Sequence, residues 1–165
     1  TTIGFPHGGH AIAVKVAEAE QALHDGAQEM DMVVNIGQVL SGDWDSVHRD
    51  IAAVVAASHA GGAILKVIFE NCYLQDEHKI RLCQICGEVG ADFVKTSTGF
   101  GSGGATLEDL RLMRQHAPTH VQVKAAGGIR SLDQLLAARA AGATRIGATR
   151  TVEILEECKR QLGID

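Results

Sequence analysis

The sequence predicts an α/β fold of the TIM (β/α)8 barrel type, present as a partial barrel of about six parallel strands. Three observations predict it. Short β-rich runs alternate with helical segments in units of roughly 30 residues, the signature of parallel strands joined by crossover helices. Four of the helical segments end on the same Gly-Ala punctuation, at Gly26-Ala27, Gly62-Ala63, Gly90-Ala91 and Gly142-Ala143. Several β-rich runs carry a charged residue inside an apolar stretch. An open doubly wound sheet satisfies the alternation equally well, but a closed barrel interior gives those strand charges somewhere to meet.

In chain order, "TTIGF" reads as a half-strand and residues 9–25 as the helix after it. Strands follow at 29–37, 63–70, 91–99, 120–128 and 144–149, each rich in β-branched residues and bounded by glycine. Helices follow them at 43–60, 76–89, 106–116, 131–141 and 151–162. Glycine suits the left-handed residue beyond a helix C-terminus, which explains the repeated Gly-Ala. Asp76, Thr106 and Ser131 are N-cap residue types, and "TLED" and "SLDQ" approximate a capping box.

At 165 residues the chain is expected to be one domain, 1–165, long enough to bury a substantial core. A net charge of −5 with no Lys/Arg run argues against nucleic-acid or anionic-membrane partners. No apolar stretch reaches membrane-spanning length and no signal-peptide pattern opens the chain, so a cytoplasmic protein is expected. Cys83-x-x-Cys86 falls on helical apolar spacing without a second such pair, as expected of buried, reduced cysteines that act as small hydrophobes. His7-x-x-His10 lacks a third ligand, and no metal is expected.

The lysines carry the functional signal. Lys15, Lys79 and Lys159 fall on helices, where a solvated face accounts for them, whereas Lys66, Lys95 and Lys124 fall on strands. Strand residues two apart share a face, placing Asp31 with Val33, Lys66 with Glu70, and Lys95 with Phe93. For Lys66 the ordinary expectation is an ion pair with Glu70. Lys95 and Lys124 have no carboxylate two or four residues along their own strands, and each precedes a glycine-containing loop. Burial and a neighbouring cation both disfavour protonation of a lysine. A neutral amine attacks carbonyls to form a Schiff base, an electron sink for making or breaking an adjacent C–C bond. Asp31 would then move protons, assisted by the second lysine.

The loops indicate what else binds. "STGFGSGG", "AAGGIR" and "IGATR" are small-residue turns before helix N-termini, where exposed backbone N–H groups and the helix dipole favour phosphate. The plain alternative is that these glycines only make tight turns. Gly99-x-Gly101-x-x-Gly104 matches the dinucleotide-binding spelling, but the next strand carries Lys124 where an acid should bind the ribose. A nucleotide cofactor is therefore not expected.

Taken in order, "FPHG", "EMDMVVNIG", "LKVIFE", "GADFVKTSTGF", "VKAAGGIR" and "RIGAT" resemble the deoxyribose-phosphate aldolase family, over essentially the whole chain. The resemblance implies a (β/α)8 barrel and a class I, cofactor-free aldolase. Such an enzyme reversibly splits 2-deoxy-D-ribose 5-phosphate into glyceraldehyde 3-phosphate and acetaldehyde. It implies Lys95 as the Schiff-base lysine, Lys124 as the lysine that depresses its pKa and assists proton transfer, and Asp31 as the proton relay. Gly99, Gly127, Gly128 and Gly147 match the phosphate-binding positions, with Arg130 and Thr149 beside them. Two departures stand out: Arg150 occupies a position where the family usually carries a small hydroxyl residue, and the family's first two βα units have no counterpart. Unfilled sheet edges imply a homo-oligomer, dimer or larger. The competing expectations are a non-catalytic sugar-phosphate-binding barrel remnant and a different Schiff-base lyase on the same scaffold.

Overall fold

Alternation of strand and helix produces six strands in the computed structural model, which describes residues 1–164. They are β1 (Thr2–Ile3), β2 (Glu29–Val33), β3 (Ile64–Ile68), β4 (Phe93–Lys95), β5 (Gln122–Ala126) and β6 (Arg145–Gly147). All pair in parallel and in chain order, giving a single sheet β1-β2-β3-β4-β5-β6. The helices are α1 (Ile12–His24), α2 (Ile36–Ser41), α3 (Trp44–Ala60), α4 (Asp76–Val89), α5 (Leu107–His116), α6 (Leu132–Ala140) and α7 (Thr151–Leu162). No helix among the described residues is long and apolar enough to cross a membrane.

The strand alternation sorts side chains onto two faces. Met30, Met32, Leu65, Val67, Val94, Val123 and Ala125 face the helices and form the main apolar core with them. Asp31, Lys66, Lys95 and Lys124 take the other face. The sheet curls around that face. In a flat sheet β2 and β5 would lie about 14 Å apart, and β2 and β6 about 19 Å. Yet Asp31 on β2 bonds Lys124 on β5 at 2.7 Å, and Glu29 on β2 is ion-paired to Arg145 on β6. The result is a partial barrel with its charged residues inside.

Helix ends follow local chemistry. Gly26, Gly62, Gly90 and Gly142 all adopt positive φ, the left-handed conformation that punctuates the helices before β2, β3, β4 and β6. Thr106 and Ser131 cap α5 and α6, accepting from the backbone N–H of Asp109 and Gln134. The cap of α4 differs from expectation: Asp76 is its first helical residue, and Gln75 caps it in a reciprocal pair with His78. The short helix α2 lies inside and beyond the run read as strand 29–37. Asn35 ends that strand by accepting from the Gln38 N–H, and Gly42 closes the helix at φ 74°.

Two of the helical lysines are not solvated. Lys79 on α4 bonds Asp76 at 2.9 Å and Asp109 on α5 at 2.6 Å, pinning the two helices. Lys15 on α1 has no exposed surface, and its Nζ donates to Asp50 on α3 at 2.5 Å and to the Val33 carbonyl on β2 at 3.0 Å. Burial pushes the Lys15 pKa down and the Asp50 pKa up, against the attraction between the two. Cys83 and Cys86 are buried on α4 as expected, and desolvation raises the Cys83 thiol to about 12.

Breaking the Lys15–Asp50 pair from one side strands a charge in the core. Asp50→Ala is expected to cost about 3–5 kcal/mol in denaturant unfolding, whereas Lys15→Met combined with Asp50→Leu should cost far less. Equal losses in the two variants would contradict this account.

Candidate active site

Asp31 is the focus of the inner face. Its Oδ1 accepts from Lys66 Nζ at 2.9 Å, and its Oδ2 accepts from both Lys95 Nζ and Lys124 Nζ at 2.7 Å. Four successive strands, β2 to β5, thus each contribute one charged group to a single cluster. The register explains the convergence: Asp31 lies opposite Lys66, and Lys95 opposite Lys124. Below the cluster Glu29 accepts from Lys66 at 2.8 Å and from Arg145. Phe93 lies beneath as an apolar floor, its ring centre 6.0 Å from Lys66 Nζ and 5.2 Å from the Arg145 guanidinium.

Lys66 does not pair with Glu70. β3 ends at Ile68, and Glu70 adopts φ 57°, so the strand alternation that would align Glu70 with Lys66 is broken before it. Lys66 is buried at 1% exposure and belongs to Asp31 and Glu29.

The electrostatics follow from burial and charge count. Burial alone would raise the Asp31 pKa, but hydrogen bonds from Lys124, Lys95 and Lys66 hold it well below the usual carboxylate range. The Lys95 pKa is lowered first by desolvation; Asp31 opposes this, and the charges of Lys124 and Lys66 reinforce it. At 8% exposure Lys95 is therefore an amine whose protonated form is disfavoured by its surroundings, hydrogen-bonded to a carboxylate that resists protonation.

Above the cluster opens a cavity of about 390 Å³. Of the residues singled out from sequence, Lys95, Lys124, Gly99, Gly127, Gly128, Arg130, Gly147 and Thr149 all line it. Asp31 completes the set by bonding both lysines. Arg150 caps α7, bonds Glu153 at 3.4 Å and is not in the cavity wall. α6 begins at Leu132 and α7 at Thr151, a few residues beyond the turns at 127–128 and 147–149 that line this wall.

The two glycine loops pack backbone to backbone. A Cβ at Gly104 would strike the Gly127 carbonyl, and Ala105 N–H donates to the Ala126 and Gly127 carbonyls at 3.1 Å. Close approach of two main chains, and not a nucleotide, accounts for the third glycine of the GxGxxG spelling. Thr96 adds a stitch: its Oγ1 donates to the Ala126 carbonyl at 3.0 Å and accepts from the Ala126 N–H at 3.1 Å.

A family model described as DeoC/LacD family aldolase matches residues 1–153. The chain belongs to this aldolase family. It is 65% identical over 164 residues to a deoxyribose-phosphate aldolase of Rhodopirellula baltica, covering 99% of this chain and 68% of that protein. Among solved structures, an aldolase named QR15 superposes with a TM-score of 0.92 at 42% identity, covering 99% of this chain and 74% of its own. A deoxyribose phosphate aldolase of Aeropyrum pernix, described as tetrameric, superposes at 0.88 with 36% identity, covering 98% and 68%.

Sequence reasoning missed several groups that this aldolase-family chain brings to its cavity. Thr98, Ala126, Ile129 and Ala148 line it, and Thr98 was hidden inside a loop read only for its glycines. Lys66 and Glu29 support it from below. The sequence singles out Lys66 as a strand lysine and pairs it with Glu70, whereas its partners Asp31 and Glu29 lie on another strand.

Asp31 also sets an acid limit. Its folded-state pKa lies below its unfolded value, so its contribution to stability is full above the ordinary carboxylate pKa and disappears as pH falls through the depressed value. Asp31→Asn should unfold at lower denaturant than wild type at neutral pH, by about 3–5 kcal/mol because three lysines lose their anion. That gap should close on acidification below the ordinary carboxylate range. A gap independent of pH would contradict the assignment.

Proposed function

We propose that this chain is a class I aldolase that reversibly cleaves 2-deoxy-D-ribose 5-phosphate to D-glyceraldehyde 3-phosphate and acetaldehyde through a Schiff base on Lys95. The observation that carries the proposal is Lys95 itself: an amine with depressed pKa, 2.7 Å from Asp31, opening into a glycine-lined cavity. The relatives named deoxyribose-phosphate aldolase support the substrate.

The geometry suits each step. Neutral Lys95 Nζ adds to the sugar carbonyl to form a carbinolamine, and loss of water gives the iminium. A base removes the proton of the substrate hydroxyl next to the scissile bond. The C–C bond then breaks, its electrons pass into the iminium as an enamine, and glyceraldehyde 3-phosphate leaves. Protonation of the enamine carbon and hydrolysis of the new iminium release acetaldehyde and restore the amine. Asp31 and Lys124 share a hydrogen bond at 2.7 Å beside Lys95, placed to pass protons in these steps. The phosphate binds at Gly99, Gly127, Gly128, Gly147 and Thr149 through backbone N–H groups, with Arg130 at the rim. Lys95 and Lys124 bring both amines close enough to one carboxylate that proton movement needs no rearrangement of the strands.

We further propose that the protein is cytoplasmic and works as a homo-oligomer. One edge of the sheet ends on β1 and the other on β6, and Leu155 and Leu162 of α7 are 55% and 66% exposed. Light scattering on a size-exclusion column should give at least twice the 17.4 kDa chain mass. A stable monomer would contradict assembly.

Borohydride reduction with acetaldehyde should leave a two-carbon adduct on Lys95, found by peptide mass spectrometry and lost in Lys95→Ala. An intact fold without that adduct is the outcome expected of a non-catalytic sugar-phosphate binder. The pH midpoint of trapping should lie below that of a free lysine. Lys124→Met should move it up by removing a cation, and Asp31→Asn should move it down by removing the anion that favours Lys95 protonation. Shifts of the same sign in both variants would contradict the assigned electrostatics.

A further inference from the structure

Glu70 is buried at 2% exposure and takes no part in the chemistry derived above. It adopts φ 57°, and it is the one non-glycine among the described residues at positive φ, a conformation that disfavours a side chain. Among the described residues it has no ion-pair partner; both of its oxygens are used on Thr98. Oε1 accepts from the Thr98 N–H at 3.2 Å, and Oε2 accepts from the Thr98 hydroxyl. The main chain reinforces the contact, because Phe69 and Asn71 N–H donate to the Lys95 and Thr96 carbonyls, both at 2.9 Å. Gly101 closes over it: a Cβ there would lie 3.1 Å from Glu70 Cδ and 2.7 Å from Cys72 Sγ. A strained backbone, a buried acid and a glycine packed against that acid all bear on how one threonine is held.

That threonine lines the cavity with Lys95. A hydroxyl has one proton and two acceptor lone pairs. The Thr98 proton goes to Glu70, and one lone pair accepts from the Phe100 N–H at 3.0 Å. One lone pair remains. We propose that Glu70 is a positioning residue that fixes the Thr98 hydroxyl as a hydrogen-bond acceptor for a hydroxyl group of the bound sugar phosphate. The inference rests on the aldolase reading and adds a specificity element to it. The carboxyl prevents Thr98 from rotating its proton into the cavity, so the site favours a substrate that brings a donor there. Acetaldehyde, which has no hydroxyl, gains nothing from this arrangement.

The test compares the two substrates in the same variants. In Glu70→Gln the amide still reaches Thr98, but its NH2 end donates to the hydroxyl and turns the Thr98 proton toward the cavity. Its kcat/KM for 2-deoxyribose 5-phosphate cleavage should fall about 10- to 100-fold, the effect of losing a hydrogen bond supported by a charged group. Acetaldehyde trapping on Lys95 should change by no more than about twofold, since no hydrogen bond of this kind is lost. Thr98→Val should reproduce the selective loss, Thr98→Ser should recover most of the activity, and Glu70→Gln should cost nothing further in a Thr98→Val background. If Glu70→Gln does not fold, the Thr98→Val and Thr98→Ser pair decides by the same ratio. The inference is overturned by equal losses on both substrates, by unchanged kcat/KM, or by additive effects in the double variant. Absence of trapping in the wild-type protein would instead overturn the aldolase reading.

Discussion

One carboxylate with three lysine amines around it is the constraint on which the arrangement of this molecule depends. Asp31 reaches lysines on three successive strands, and only a curled sheet brings them within 2.9 Å of its two oxygens. The curl and the chemistry therefore depend on the same contacts. Flattening the sheet would separate Asp31 from Lys124; removing Asp31 would leave like charges facing one another in a buried space. Glu29 and Arg145 repeat the arrangement one layer down, again joining strands that are not neighbours. Such a layered interior of opposed charges is costly to desolvate.

The same contacts distinguish Lys95 from the lysines around it. Lys66 is the most deeply buried of the three but is held between two carboxylates. Among the described residues Lys95 has one carboxylate oxygen as partner and shares it with Lys124, so its burial is incompletely compensated. Desolvation then moves the Lys95 pKa in the direction that frees its lone pair. The distinction lies in how anions are distributed among similar side chains, because all three lysines stand on strands and all face inward.

What was legible in the sequence was local. Glycines after helices, hydroxyl caps before them and lysines inside apolar runs each report on a few adjacent residues, and apart from α2 and the cap of α4 the structure has its elements in the order those signals give. Pairings across space were not legible. Lys15 on an amphipathic helix looks solvated until α3 brings Asp50 against it, and Glu70 looks like the partner of Lys66 until the chain turns left-handed after β3. The short helix α2 was obscured because Ile36 continues the apolar run of β2, while its cap, Asn35, reads equally well as a strand residue. The candidate site was found from side chains of distinctive chemistry; Thr98 and Glu70 were not, since neither spacing nor charge marks one as the other's partner.

The backbone contact between Gly104 and Gly127 has a geometric consequence for what the cavity can accept. With no side chain between them, the loop that follows Lys95 and the turn that follows Lys124 pack main chain to main chain, stitched again by Thr96. The span from the Lys95 amine to the glycine turn at 127–128 is thus a ruler cut in main chain. Side-chain exchange at the rim can alter what is tolerated along its length, but the two marks stay where they are. On the proposed function, a substrate is measured by the number of carbons between its carbonyl and its phosphate before any of its hydroxyls is inspected.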